Sequence, residues 1–319
     1  MTKVSRVDGA GLAMLAEISR IIAAGGGTLR LEGAPAEAGR IVDQIAASAL
    51  PPARQPVGAI EQIGCGVIGA ANHLGDLVEF TGAVALSSRA ALRAPGSVRW
   101  RDVLSIAART GFDAVAVTCL LGFIIGFIIA FQTLPSFQTY GAGNMVAVVI
   151  GVAMVRELGP LITGVVLAGR SGSAFAAELG TMTVTNEIDA LRTFGLDPVR
   201  FLVIPRMLAA MVTTPLLSLF CTFLGVLGGY AVLAGTGMSG AYFVQEVQSA
   251  IGVMDLLQGM VKAGVFALLV AGAGCASGLQ TGAGPGAVGE SATRAVVAGI
   301  VLVILSDGVM GWLFFLMGI

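Results

Sequence analysis

Apolar positions along this chain come in two regimes. Up to about residue 56 they recur at short, mixed periods. Leu12 to Ala24 has the spacing of an amphipathic helix, stopped by Gly25-Gly26-Gly27. Thr28 to Glu32 alternates as a strand does, and Ala36 to Ala49 reads as a second helix. Val4 to Val7 suits the end of a strand, with a turn at Asp8 to Gly11. Pro51, Pro52 and Pro56 then mark a linker.

Residues 60–92 are moderately apolar but interrupted by Glu61, His73, Asp76, Glu79 and Arg89, the pattern of a helix lying in the membrane interface. Arg99-Trp100-Arg101 follows as an anchor at headgroup depth.

Beyond residue 110 the apolar runs lengthen to the roughly 20 residues needed to cross a hydrocarbon core of about 30 Å. Five spans are expected: Ala114–Leu134, Asn144–Gly169, Met207–Ala234, Leu256–Thr281 and Ala295–Ile319. The second is interrupted by Arg156-Glu157 and Gly159-Pro160, which predicts a break at membrane depth. The expected architecture is an all-α integral membrane protein: an N-terminal interfacial helix, five transmembrane helices and a small α/β N-terminal segment. The domains are 1–55, 56–110 (interfacial helices) and 111–319 (transmembrane).

Composition agrees: hydrophobic residues are 56% of 319 and charged residues 12%, about half the charged share of a soluble domain. A net charge of -1 offers no basic patch for nucleic acid. Of the 18 Lys and Arg, eleven precede the first span, and Arg170, Arg192, Arg200 and Arg206 fall in the 169–206 connection. The 135–143 and 235–255 loops hold none. The positive-inside rule puts the N-terminus and the 169–206 connection in the cytoplasm.

No G-x-x-x-x-G-K-[ST] loop occurs, and neither Lys3 nor Lys262 precedes a Ser or Thr, so ATP hydrolysis by that motif is excluded. A single histidine, His73, supports neither a catalytic triad nor a metal site, and the four cysteines read as small buried apolar residues. No catalytic residue, metal ligand or cofactor of this chain's own is expected.

Two features carry candidate function. Arg156, Glu157, Lys262 and Asp307 lie inside spans. Four unpaired charges there would cost on the order of 10 kcal/mol, so mutual pairing is expected. Arg156 and Asp307 each lie 12 residues from a span end, roughly 18 Å at helical rise, which makes them the expected pair. Glu157 is left for Lys262 or a neighbouring subunit, and Lys262, nearer the edge, is placed to snorkel. The set reads either as a structural ion-pair network or as the polar lining of a substrate path.

The second feature is Thr185 to Gly195, which has a capping residue, a short helical body and a glycine stop. Ile188, Leu191 and Phe194 recur every third residue and are expected to share a face, with Glu187, Asp189 and Arg192 open to solvent or a partner. The readings are an ordinary connecting helix or a coupling helix that docks into a separate ATPase. The pairs Gly122/Gly126, Gly225/Gly229 and Gly274/Gly278 have the G-x-x-x-G spacing of close helix packing.

The residues carry two resemblances. Residues 1–50 resemble the C-terminal half of a STAS domain, around a motif that runs Asp-Ser-Ala-Gly-Leu in that family. Here Gly9 stands at the Ser position, so the residue a phosphorylation switch would use is absent. From about residue 60 onward the chain resembles the MlaE (YrbE) permease family. The densest stretches are Arg156-Glu157-Leu158-Gly159-Pro160, Ala168-Gly169-Arg170, Ala177 to Met182, Glu187 to Leu191 and Gly195 to Pro198. A second block is Gly284 to Gly289 with Thr293 to Val297 and Asp307.

That resemblance implies a homodimeric permease of the bacterial inner membrane, moving glycerophospholipid between inner and outer membranes. It implies a lipid site at the dimer interface, where Arg156, Glu157, Lys262 and Asp307 occupy positions of the family's intramembrane charges. The implied partners are an MlaF-like ATPase, which would bind ATP and Mg, an MlaD-like MCE-domain protein and a STAS-domain protein. An ion-coupled secondary transporter and a non-transporting membrane scaffold are the competing classes.

Overall fold

The computed structural model describes residues 75–318 except Asp76, Leu92, Pro95, Ser97, Val98 and Pro285. Nearer the N-terminus it describes only positions 14, 15, 17–19, 21, 22 and 27. The chain divides into Met1–His73 and Leu74–Ile319.

In the first unit, positions 14, 15, 17–19, 21 and 22 are helical, inside the helix expected at 12–24, and Gly27 N–H donates to the Ile22 carbonyl at 2.9 Å. The expected strands at 4–7 and 28–32, the helix at 36–49, the linker and residues 60–74 lie outside the described residues. No strand occurs among the described residues, so the α/β character expected of this segment is not supported.

Among its described residues the second unit consists of helices joined by turns. Residues 77–91 form α1. Helices long and apolar enough to cross a membrane are α2 (Trp100–Thr139), α3 (Met145–Val184), α5 (Val199–Ala234), α7 (Val253–Leu279) and α8 (Ala287–Leu316). The short α4 (Glu187–Thr193) joins α3 to α5, and α6 (Gly240–Ala250) joins α5 to α7. The five spans match the five apolar runs in number and order.

Three boundaries differ from expectation. First, α3 is not broken at Gly159-Pro160. It is a continuous rod of 40 residues, about 60 Å long at helical rise, so it runs well past a 30 Å core. Two π-turns, Met154–Leu158 and Ala168–Gly172, absorb the irregularity. Pro160 falls at the start of the next helical segment, where a missing donor is tolerated, and the Met154 carbonyl accepts the Gly159 N–H and the Thr222 hydroxyl. Second, the connection expected from residue 169 begins only after Val184. Third, the 235–255 loop contains α6, capped by Ser239, which accepts from the Tyr242 N–H, and buried on Phe243 and Val247 one turn apart. This helix was legible in that spacing but not anticipated.

Packing rests on rows of small residues. The buried face of α2 repeats every fourth residue: Thr110, Ala114, Thr118, Gly122, Gly126, Ala130. It lies against a row of α5 that includes Ala210, Thr214, Cys221 and Gly225. The two helices run parallel, with Gly122 at Cys221 and Gly126 at Gly225. A methyl at Gly126 would run into the Gly225 backbone, and one at Gly122 into the Cys221 carbonyl. Lipid tails are as apolar as any side chain, so close backbone approach replaces the hydrophobic effect in holding these helices together. Thr118 and Thr214 hydroxyls donate to carbonyls of their own helices at 2.8 and 2.7 Å, so these two buried donors at the contact are satisfied. All three G-x-x-x-G pairs sit at such contacts: Gly229 meets Ile150, Gly274 meets the Gly172 backbone and Gly278 meets Ala176 and Leu179.

Gly126→Ala should therefore destabilise the purified chain, by about 1–3 kcal/mol on the scale of overpacked cores. Gly264→Ala, where nothing lies within 4 Å of the added carbon, should be neutral or slightly stabilising. Thermal unfolding of the two variants side by side in detergent is the measurement; equal midpoints would refute the close-contact account.

Candidate functional site

The intramembrane charges are positioned by the same four-residue rows. On α8 the buried residues are Ser291, Ala295, Gly299 and Val303, and Asp307 is the next step of that row. On α7, Lys262 heads the buried row Phe266, Val270, Gly274, Gly278. Side chains four apart on a helix share a face, so both charges are aimed into the bundle.

Lys262 is the centre of the site. Its side chain is 1% exposed, and its Nζ donates to Glu157 of α3 and to Asp307 of α8, the latter at 2.9 Å. It lies nine residues from the start of α7, about 14 Å along the axis. Its nearness to the span edge would let it partly snorkel, but it is buried, because two carboxylates reach it where it stands.

Arg156 pairs with Asp255 of α7 at 3.2 Å and not with Asp307 as expected. Depth alone was a poor guide, because the parallel α7 offers a nearer acid. Asp255, Gly259 and Lys262 stand at steps of four and three along one face of α7. Adjacent Arg156 and Glu157, re-aimed by the Met154–Leu158 π-turn, reach the two ends of that row. Gly259 permits the approach: a Cβ there would strike the Val155 carbonyl and lie 3.4 Å from Pro160 Cγ. With Asp255 included the cluster holds two cations and three carboxylates, so its formal sum is -1 and not zero.

The cluster is closed on one side only. Lys262 is buried, Asp255 and Asp307 are each 20% exposed, and the Glu157 side chain is 47% exposed. A half-open carboxylate at this depth must face another protein chain or a polar cavity, since hydrocarbon cannot solvate it. Beside it, Gln258 is buried between Asp255 and Lys262, and its Nε2 has no partner among the described residues.

Two further ion pairs lie toward the α4 end, on Arg170 and Arg206, which polar composition alone places in the 169–206 connection. Arg170, inside the second π-turn, meets Asp113 of α2 at 3.3 Å. Arg206 of α5 donates to Glu178 of α3 and to the Leu202 carbonyl, both at 2.9 Å, with its guanidinium 6.0 Å from the Phe175 ring centre.

At α4 the expected apolar face is divided. Ile188 is 4% exposed, turned into the protein as α4 packs against the end of α3, and is unavailable to a partner. Leu191 is half-buried, while Phe194 lies just past the last turn and is 80% exposed. Asn186, at a positive φ of 60°, and Gly195, at 74°, set the turns on either side. Glu187, Asp189 and Arg192 are exposed, the last two paired at 3.2 Å. The surface offered at this end is Phe194 and Leu196 rimmed by these charges.

Comparison with known proteins places this architecture. Residues 103–313 match the family model described as Permease MlaE. A "Probable ABC transporter permease protein" of Rickettsia felis is 36% identical over 206 residues, 64% of this chain and 80% of that one. One from Synechocystis is 34% identical over 221 residues, covering 69% and 84%. The chloroplastic protein Trigalactosyldiacylglycerol 1 of Arabidopsis thaliana is 36% identical over 222 residues, covering 69% and 63%. The family match takes in all five spans, the charge cluster and α4, and the chain belongs to the MlaE permease family.

Proposed function

We propose that this chain is the membrane subunit of an ATP-driven transporter of glycerophospholipid, and that the lipid headgroup passes along the open side of the Arg156–Asp255 and Glu157–Lys262–Asp307 cluster. The observation that carries this reading is the half-exposed Glu157 beside a fully buried Lys262. A purely structural network would close on all sides, whereas this one leaves charge facing outward at membrane depth. The unpartnered Gln258 amide adds a donor that a polar cargo could satisfy. A lipid cargo is supported by the Arabidopsis relative, which is named for a diacylglycerol-based galactolipid; the phosphate-bearing headgroup is our proposal from the charged path.

The remaining assembly follows the family. A second copy of the chain covers the open face and completes the path. An MlaF-like ATPase holding ATP and Mg docks at Phe194 and Leu196, with α4 on the cytoplasmic side of a bacterial inner membrane. An MlaD-like MCE protein sits at the α6 end, and a STAS-domain protein associates with the ATPase. The "ABC transporter" in the relatives' names supports the ATPase over ion-gradient coupling.

Lipid transfer between vesicles, in the reconstituted complex and with ATP supplied or withheld, tests the function; transfer driven by an ion gradient without ATP would overturn it. Arg156→Asp and Asp255→Arg should each lower transfer by about tenfold or more, and the double swap should restore most of the loss, as a direct pair requires. Asp307→Asn should impair transfer by leaving Lys262 short of one carboxylate. Full activity in all three single variants would remove the cluster from the path. For the ATPase contact, Phe194→Asp should abolish co-purification of the ATPase while leaving the chain in the membrane. If Phe194→Asp and Leu196→Asp both retain the ATPase, docking occurs elsewhere.

A further inference from the structure

A cavity of about 330 Å³ lies at the α4 end, between the last turn of α1, the start of α2 and the turn that leads into α5. Its lining joins two guanidinium groups, Arg99 and Arg200, to one carboxylate, Asp197, and to apolar Leu196, Phe201 and Ile204. The volume is in the range of small-molecule sites.

The carboxylate is already committed. Asp197 accepts the Val199 N–H at 3.0 Å and the Ser87 hydroxyl at 3.4 Å, which closes the turn and ties it to α1. Arg99 is fixed from two sides. Its Nε meets Asp102 at 3.1 Å, and its guanidinium lies 4.6 Å from the Phe201 ring centre. Stacking on the ring holds the guanidinium plane, while the terminal amino groups carry its remaining donors. Arg200 stands in a third π-turn, Val199–Val203, and is exposed. Beside the cavity, Trp100 and Leu104 share one face of α2 and are 52% and 68% exposed, the aromatic-over-apolar order of a headgroup boundary.

Two arginines held by rigid elements make a fork for phosphate oxygens, and basic pockets between helices at a membrane edge are suited to anionic headgroups. We propose that this cavity binds the phosphate of an anionic phospholipid between Arg99 and Arg200, with the acyl chains running past Trp100 and Leu104. The lipid links α1 to the turn that starts α5. It is distinct from cargo at the charge cluster: Thr222, which touches the Met154–Leu158 π-turn, is 22 residues beyond Arg200, about 33 Å up α5.

The test uses the full purified chain in detergent, with thermal unfolding followed during titration by phosphatidylglycerol, phosphatidylcholine or inorganic phosphate. Phosphatidylglycerol should raise the unfolding midpoint more than phosphatidylcholine, which can act only through the cargo path, and inorganic phosphate should not raise it. Arg99→Gln and Arg200→Gln should each weaken the phosphatidylglycerol effect by about tenfold in concentration, as loss of a charge-assisted contact does. Arg101→Gln removes the same charge outside the cavity and should leave it unchanged. If Arg99→Gln fails to fold, the exposed Arg200 decides alone. An equal response to inorganic phosphate would overturn the lipid assignment. Equal losses in Arg101→Gln, or none in the cavity variants, would overturn the site.

Discussion

An ammonium group cannot stand alone in hydrocarbon, and the burial of Lys262 sets the terms for three of the five membrane-crossing helices. Insertion of one charge near the bilayer centre costs roughly 2.5–3.5 kcal/mol. That cost is offset only where carboxylates are held within reach. Glu157 and Asp307 meet this need from α3 and α8. The α8 helix has few buried residues of its own, all small or modest in size, so the ion pair fixes its rotation more tightly than packing does. Residues whose solvation forces them together specify which helices are neighbours, while the small-residue rows specify how closely those neighbours approach.

The two devices need each other. Arg156 and Glu157 reach α7 only because Gly259 lets the α3 backbone come close. At the same π-turn that re-aims these side chains, the Met154 carbonyl accepts the Thr222 hydroxyl of α5 in addition to the Gly159 N–H. The departure from regular helix at Met154–Leu158 is thus answered by a polar group on an adjacent helix, as a medium without water demands.

Much of this was legible in the sequence. The number and order of spans follow from run lengths, and the four intramembrane charges are visible as interruptions in those runs. The four-residue rows on α7 and α8 also contain the inward aim of Lys262 and Asp307, which phase along the helix shows and depth does not. The Arg156 partner was missed because Asp255 falls one residue outside the apolar run that begins at Leu256, although helix α7 begins at Val253. Arg170 and Arg206 look like loop residues in the sequence because polar composition ends the apolar run before the helix ends. A helix long enough to leave the membrane continues through polar sequence, and hydropathy does not record it. The division of Ile188 from Phe194 depends on how α4 folds back on α3, which no local period encodes.

The unbroken length of α3 has a mechanical meaning. Val184, its last residue, is 27 residues from Glu157, about 40 Å along one continuous helix. A straight α-helix resists axial load, whereas a π-turn, with its wider hydrogen-bonded ring, is a softer joint within the same rod. The rod has two such joints, at Ala168–Gly172 and Met154–Leu158. If an ATPase pushes at α4, as proposed, the force would travel along α3 as through a strut and be released as twist where the strut is compliant. The far joint is the one that carries Arg156 and Glu157, so such a push at one surface of the membrane would arrive at the opposite half as a torque on ion pairs.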